Sequence, residues 1–240
     1  VIENLTTVAE AMAIEAVGAG VQGMLGFGIN LVAAPLLELV DPRFVPAPLI
    51  LAGLVSGLLV AVRERGATDR RGLGLAMVGR VPGTALGVLV VLLAPGGTLR
   101  IIVASVVIVA VISSLVGWRV RMTPSSLVGT GVASGIMGTV AGLGGTPMGI
   151  VYQDAGGPTL RATLARYAVL GAGLSLIALW TAGKIGPQQL VMAGILLPGV
   201  VVGFLASAPL RPVLDRGRLR PAILGLIGLA ALAVLVQSFA

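Results

Sequence analysis

The sequence predicts an all-α polytopic membrane protein made of two inverted repeats of four helical segments each. The first segment of each repeat is broken or re-entrant. Three observations carry this expectation: an apolar composition, the lengths of the apolar runs, and a match between the two halves at a constant offset. Of 240 residues, 57% are hydrophobic and only 10% charged, with a mean hydropathy of +1.07; a water-soluble domain carries roughly a quarter charged residues. The 36 glycines, about twice ordinary usage, suit closely packed transmembrane helices. With 14 prolines they raise the question of disorder, but the apolar runs between them are too long for a disordered chain.

The composition also excludes. With no Cys and no His, thiol chemistry, disulfides and the usual soft metal ligands drop out, and no metal or other cofactor is expected. A net charge of +7 raises nucleic acid as a partner. The arginines lie instead in short loops between apolar segments, where they set orientation in the bilayer. The bilayer is therefore the expected partner, not nucleic acid. Val1 to Glu10 is acidic and polar, without the basic start of a cleaved signal peptide.

Eight apolar segments follow in order: 8–40, 44–62, 72–94, 99–117, 126–153, 160–182, 188–209 and 221–238. Six have the length of ordinary transmembrane helices. The first and fifth are too long. As one helix, residues 8–40 would extend about 50 Å against a hydrocarbon core of about 30 Å. Each carries a glycine cluster near its middle, Gly26-Phe27-Gly28 and Gly142-Leu143-Gly144-Gly145. Each is either a broken span or a hairpin that enters and leaves on one side. Trp118 flanks a basic loop after the fourth segment, and Trp180 approaches the end of the sixth; both read as interface anchors.

Loop charge separates the two options. If all eight segments cross, the loop Lys and Arg residues divide seven against seven, which gives no orientation. If the first and fifth are re-entrant, Arg63, Arg65, Arg70, Arg71, Arg119, Arg121, Arg161, Arg211, Arg216, Arg218 and Arg220 share one face. Only Arg43, Arg100 and Lys184 face the other way. That asymmetry is a positive-inside signal. It implies six crossings, two hairpins and both termini outside.

The halves match at an offset of 116 residues. Gly26 and Gly28 pair with Gly142 and Gly144; Ala52, Leu54 and Gly57 pair with Ala168, Leu170 and Gly173. Pro82-Gly83 and Gly87 pair with Pro198-Gly199 and Gly203, a shared P-G-x-x-x-G. A glycine-rich chain yields chance matches, but these fall in three corresponding segments. Residues 1–121 and 122–240 are then two transmembrane repeats of one integrated transport domain. Three crossings per half would invert the second repeat, and inverted repeats with broken segments at equivalent positions place a substrate site near the breaks.

At the second break, Thr146 is a good N-cap and Pro147 suits the first position of a half-helix. At the first, Asn30 is the corresponding N-cap of a half-helix running to about Val40. Glycines, free amides and the positive end of a helix form an anion site, which makes Gly26, Gly28, Asn30, Gly144, Gly145 and Thr146 candidate substrate ligands. The competing reading is that the glycines serve packing alone.

Intramembrane polar residues add to the set. Arg80 lies inside its segment just ahead of Pro82-Gly83, with Leu at the equivalent position 196. It holds an anion, counters an acidic partner such as Glu15, or snorkels to the interface. Arg166, one or two turns into the sixth segment, fits snorkelling better. Gln22, Thr139 and Gln153 are candidate cavity residues. Glu15 and Glu38 are the acidic residues placed for coupling to a proton or sodium ion, although Glu38 fits interfacial exposure better.

Two stretches carry a family resemblance: Gly26-Phe27-Gly28-Ile29-Asn30-Leu31-Val32-Ala33-Ala34-Pro35-Leu36-Leu37, and Gly135-Ile136-Met137-Gly138 through Gly144-Gly145-Thr146-Pro147. With the length and duplicated halves, they resemble the sulfite exporter TauE/SafE family of membrane transporters. The family has a longer glycine run in the first half, where Ile29 and Asn30 stand here. The resemblance implies transport of a small, often sulfur-containing anion (sulfite, thiosulfate, a sulfonate or a related organic anion) across the bacterial cytoplasmic membrane. The expected function is a secondary carrier working by alternating access. The alternatives are a passive anion channel and a non-transporting membrane assembly protein. An enzyme is not expected without His, Cys or paired carboxylates. Substrate identity, direction and oligomeric state are not set by the sequence.

Overall fold

The computed structural model describes residues 4–25, 28–64, 66, 68–115, 120–155 and 157–214. Gly26, Phe27, Trp118 and the eighth segment, 221–238, lie outside the described residues. The described chain is helical throughout, without a strand. Its helices are α1 (Leu5–Leu25), α2 (Ile29–Val40), α3 (Ala47–Arg63), α4 (Arg70–Leu93), α5 (Gly96–Leu115), α6 (Pro124–Ala141), α7 (Gly145–Val151), α8 (Gly157–Thr181) and α9 (Pro187–Leu214), with a 3-10 turn at Pro42–Phe44.

Three stretches, Arg70–Leu93, Pro158–Thr181 and Pro187–Pro209, are long and apolar enough to cross a membrane. Their outer faces carry exposed Val78, Leu89, Leu93, Ile177, Val202 and Leu205. Such a continuous apolar exterior calls for lipid rather than water. Trp180 is also exposed, at the end of α8, where an amphipathic ring suits the headgroup level. Polar residues open the helices at their wet ends. Asp69 caps α4 by accepting from the Gly72 N–H at 2.9 Å, and Thr123 with Ser126 forms a reciprocal capping box on α6.

Both overlong segments turn back on themselves. At the first, Gly28 takes a left-handed conformation (φ 103), and the Ile29 N–H donates to the Gln22 Oε1 at 3.3 Å. A Cβ on Gly18 would lie 2.7 Å from the Ile29 carbonyl oxygen. In a continuous helix residues 22 and 29 would stand about 10 Å apart along the axis. The contact requires a reversal. At the second, α6 ends on Gly142 (φ 72), whose N–H donates to the Gly138 carbonyl at 3.1 Å, a left-handed helix cap that favours glycine. The Ser134 hydroxyl then donates to the Gly144 carbonyl, holding the incoming strand of chain against α6.

The most extensive helix pairs are α1 with α9 and α4 with α6, and α3 lies against α8. The 116-residue offset maps α1 onto α6, α4 onto α9 and α3 onto α8. The two long pairs are therefore equivalent, and each joins one half of the chain to the other. Close approach depends on the shared P-G-x-x-x-G. A side chain at Gly83 would run into the Val132 backbone, and one at Gly199 or Gly203 into that of Met12 or Ala16. Gly83→Ala and Gly203→Ala are each expected to lower stability by about 1–3 kcal/mol, the cost of overpacking a backbone contact. Gly74→Ala and Gly194→Ala, with open space around them, should be neutral or stabilising; thermal unfolding of the purified protein in detergent checks both.

Candidate functional site

The two reversals meet. Asn30, in the first turn of α2, donates from its Nδ2 to the Gly142 carbonyl at the end of α6, at 2.9 Å. Around this crossing lies a cavity of about 40 Å³, with room for about three waters or one small polyatomic ion. Its wall includes Gln22 and Asn30 from the first break, the Gly142–Thr146 turn from the second, Gly53 of α3, Ala172 of α8 and Arg80 of α4.

Arg80 is 2% exposed, and its position is over-determined. One terminal nitrogen donates to the Ser134 Oγ at 2.7 Å, which also accepts from the Tyr167 hydroxyl at 2.8 Å. With its own proton on the Gly144 carbonyl, Ser134 has filled the one donor and two acceptor places of a hydroxyl. The Tyr167 ring centre lies 5.2 Å from the guanidinium carbon, within cation–π range. Gly138, Gly144 and Gly171 surround the guanidinium so closely that a Cβ on any of them would collide with it. Among the described residues the ion pairs are Arg43–Asp41, Arg63–Glu64, Arg100–Glu38 and Arg161–Glu64. Arg80 is in none of them. A buried cation without a carboxylate gives the cavity a positive wall.

Three buried polar atoms of residues that line the cavity lack a hydrogen-bond partner among the described residues: Arg80 Nε, Gln22 Nε2 and Asn30 Oδ1. Such groups are costly to leave unmatched in a closed interior.

Several expectations are corrected by this arrangement. Asn30 and Thr146 are not N-caps; α2 is capped at Gly28 and α7 at Gly144. The Gln22 side chain reaches across the first reversal to take the Ile29 N–H, doing the work of a cap and freeing Asn30 to cross to Gly142. Thr146 N–H instead closes a turn onto the Leu143 carbonyl at 3.3 Å. Arg80 neither snorkels nor pairs with Glu15, whose two carboxyl oxygens are buried without a partner among the described residues. Glu38 is buried rather than exposed, 3.3 Å from Arg100.

Gly28, Gly144, Gly145 and Thr146 do line the cavity, whereas Thr139, Gln153 and Arg166 do not. Thr139 bonds Ser175 between α6 and α8 at 2.9 Å. Arg166 bonds Thr68 and its own helix at Ala162, and Gln153 follows α7. Ser134, Tyr167 and Gly171 were not singled out from the sequence. The first two were visible as polar groups inside apolar segments that needed a partner; nothing marks Gly171 among the other glycines.

One end of the bundle is tied by a polar cluster around Asp69, which lies between two apolar segments. Asp69 accepts from the Tyr152 hydroxyl at 2.7 Å, and its N–H donates to Thr163 at 3.1 Å, joining the start of α4 to the end of α7 and the early turns of α8. The Gly72 N–H, then the Tyr152 hydroxyl, hold the Asp69 carboxyl below its usual range. A carboxylate with a depressed folded-state pKa stabilises above its unfolded value of about 3.9, and the contribution is lost as pH falls through the lower folded value. Asp69→Asn, which keeps a capping oxygen, should flatten the loss of thermal stability below about pH 4. Asp69→Ala should also cost about 1 kcal/mol at neutral pH. Melting curves across pH check both.

The breaks thus reverse and meet inside an apolar bundle, around a buried arginine with no ion-pair partner among the described residues. A family model described as Sulfite exporter TauE/SafE matches residues 11–234. The chain belongs to the TauE/SafE family. It is a multi-pass membrane transporter and not an enzyme. No curated protein and no solved structure matches it. Within this TauE/SafE chain, the matched span contains every residue of the cavity wall.

Proposed function

We propose that this TauE/SafE transporter is a secondary carrier for a small, sulfur-containing oxyanion, held by Arg80 in the cavity where the two breaks meet. The observation that carries this reading is the buried guanidinium without a carboxylate partner among the described residues. Gly28, Asn30, Gly144, Gly145 and Thr146 shape the wall around the anion, and the positive end of α2 adds to its field. Residues 1–121 and 122–240 act as inverted repeats of one transport domain, and opening the two breaks in turn gives alternating access. The protein resides in a bacterial inner membrane with both termini outside.

Uptake of labelled sulfite, thiosulfate and simple sulfonates into proteoliposomes tests the reading. Saturable flux with counterflow is expected. Linear, non-saturating flux would favour a channel, and no flux of any anion from folded protein would leave a membrane assembly role.

Glu15 lies on the same face of α1 as Gln22, fully buried with neither oxygen bonded among the described residues, and is the carboxyl available to take up and release a coupling proton. Glu15→Gln is expected to abolish accumulation driven by a pH gradient while leaving counterflow intact. Loss of neither, or a sodium requirement, would exclude it as the coupling group.

A further inference from the structure

The two ends of the α3–α8 pair are closed by different chemistry. Glu64, just past α3, lies 3.4 Å from Arg161 in the opening turns of α8, and a Cβ on Gly57 would meet Val169. The two helices therefore run antiparallel. Leu179 stands about 27 Å further along α8 than Arg161, at 1.5 Å per residue. Ala168 and Ala172, on the cavity wall, lie between them.

At the first end, Arg63 gathers three helices. Its guanidinium donates to the Gly23 carbonyl of α1 and to the Ser207 Oγ of α9, the latter at 3.0 Å. Its guanidinium carbon sits 4.3 Å from the Phe204 ring centre, within cation–π range. The Gly23 carbonyl is one of the last four of α1, which have no partner within the helix, and a cation there also meets the negative end of the helix. Glu64, 3.8 Å from the Arg63 Nε, extends the cluster to Arg161 of α8.

At the far end, the 116-residue offset places Leu179 where Arg63 stands, with Thr139, Val88 and Val91 for Gly23, Phe204 and Ser207. No charge occupies any of these positions. Leu179 and Val91 are buried in one apolar core, with Val88 packed against it, and Thr139 bonds Ser175.

We propose that Arg63 is the latch of one of the carrier's two gates, and that Leu179 and Val91 belong to an apolar plug that closes the other. This rests on the carrier reading above. Gly23 adjoins Gln22 of the cavity wall, so releasing its carbonyl frees the first break to move away from α3 and α9. The Arg63 side chain is 22% exposed, and water can take over its hydrogen bonds as the latch parts. Parting Leu179 from its neighbours wets apolar surface instead. The two gates thus open independently, and a change in one shifts the carrier toward facing that side.

The test reads the sidedness of access to a single thiol. Ala172→Cys on the cavity wall is labelled with a membrane-impermeant thiol reagent in right-side-out and everted membrane vesicles. Arg63→Gln is expected to raise the labelling rate from one face by about tenfold or more, the shift that losing a hydrogen bond to a charged group makes in a two-state equilibrium. Leu179→Ala should raise it from the opposite face. Ser207→Ala, which removes one acceptor and keeps Arg63, should act in the same direction as Arg63→Gln and less strongly. Increases on the same face for Arg63→Gln and Leu179→Ala would overturn the latch. Equal increases on both faces in Arg63→Gln would do the same, since they mark a loosened fold. So would a rate from either face left unchanged by Arg63→Gln in folded protein. Side-specific labelling without flux of any anion would overturn the carrier reading while supporting the latch.

Discussion

Arg80→Gln is expected to reduce anion flux by at least about 30-fold, the lower end of what removing one partner of a buried charge pair costs, about 2–5 kcal/mol. The loss follows from geometry. Arg80 is the lone cation on the described cavity wall, and no other basic residue there can take its place. With no anion bound the same residue is a liability, since a buried cation with no carboxylate partner pays for desolvation without a Coulombic return. The variant should therefore melt no lower than the wild type while losing transport. Stability held and function lost together mark a residue kept for binding. A parallel fall in melting temperature with flux intact would mean that Arg80 is a structural arginine satisfied by Ser134 and Tyr167.

Gly171→Ala is the second large effect expected, and it acts without touching the anion. The Cβ it adds would collide with the Arg80 guanidinium, the far end of a flexible side chain. The backbone of α8 need not move, and alanine is favoured over glycine in a helix interior by about 1 kcal/mol. The fold should tolerate the change. The guanidinium has less freedom, because Gly138 and Gly144 close its other sides, so it is displaced from Ser134 and from the cavity. A rise in KM of about tenfold or more, with an unchanged melting temperature, is the expected signature, since small displacements of a positioned group cost large factors. Flux assays with Gly173→Ala, which meets open space one turn along or less, provide the control. Equal kinetics for the two variants would show that the guanidinium's place does not matter.

These residues also show what the sequence could and could not reveal. Membrane residence, three of the long apolar spans and the positions of both breaks were legible because each depends on composition along the chain. The 116-residue offset led to equivalent helices, and the helix pairs of the fold respect it. The chemistry at the breaks was legible only as residue type. Asn30 was an obvious polar residue at the right place, but cap preference assigns it a local partner, whereas Gly142 lies 112 residues away. Gln22 took the capping role because the chain reverses there, and reversal brings a side chain from the preceding helix within reach. Ser134 and Tyr167 sit in different segments, and their meeting at Arg80 depends on helix packing that no local pattern encodes. Thr139 and Gln153 belong to the second broken segment, yet Thr139 bonds Ser175 between α6 and α8 and Gln153 lies past the end of α7, so neither lines the cavity.

The central claim is that the transported anion occupies the cavity where the two reversals meet, and a single cysteine there tests it most directly. The native chain has no cysteine, so Ala172→Cys places one thiol on the cavity wall for labelling by a small anionic thiosulfonate reagent in proteoliposomes. The transported anion should slow labelling, with half-protection at the concentration that half-saturates flux. Labelling that proceeds at the same rate at saturating anion would contradict the claim and move the binding site elsewhere.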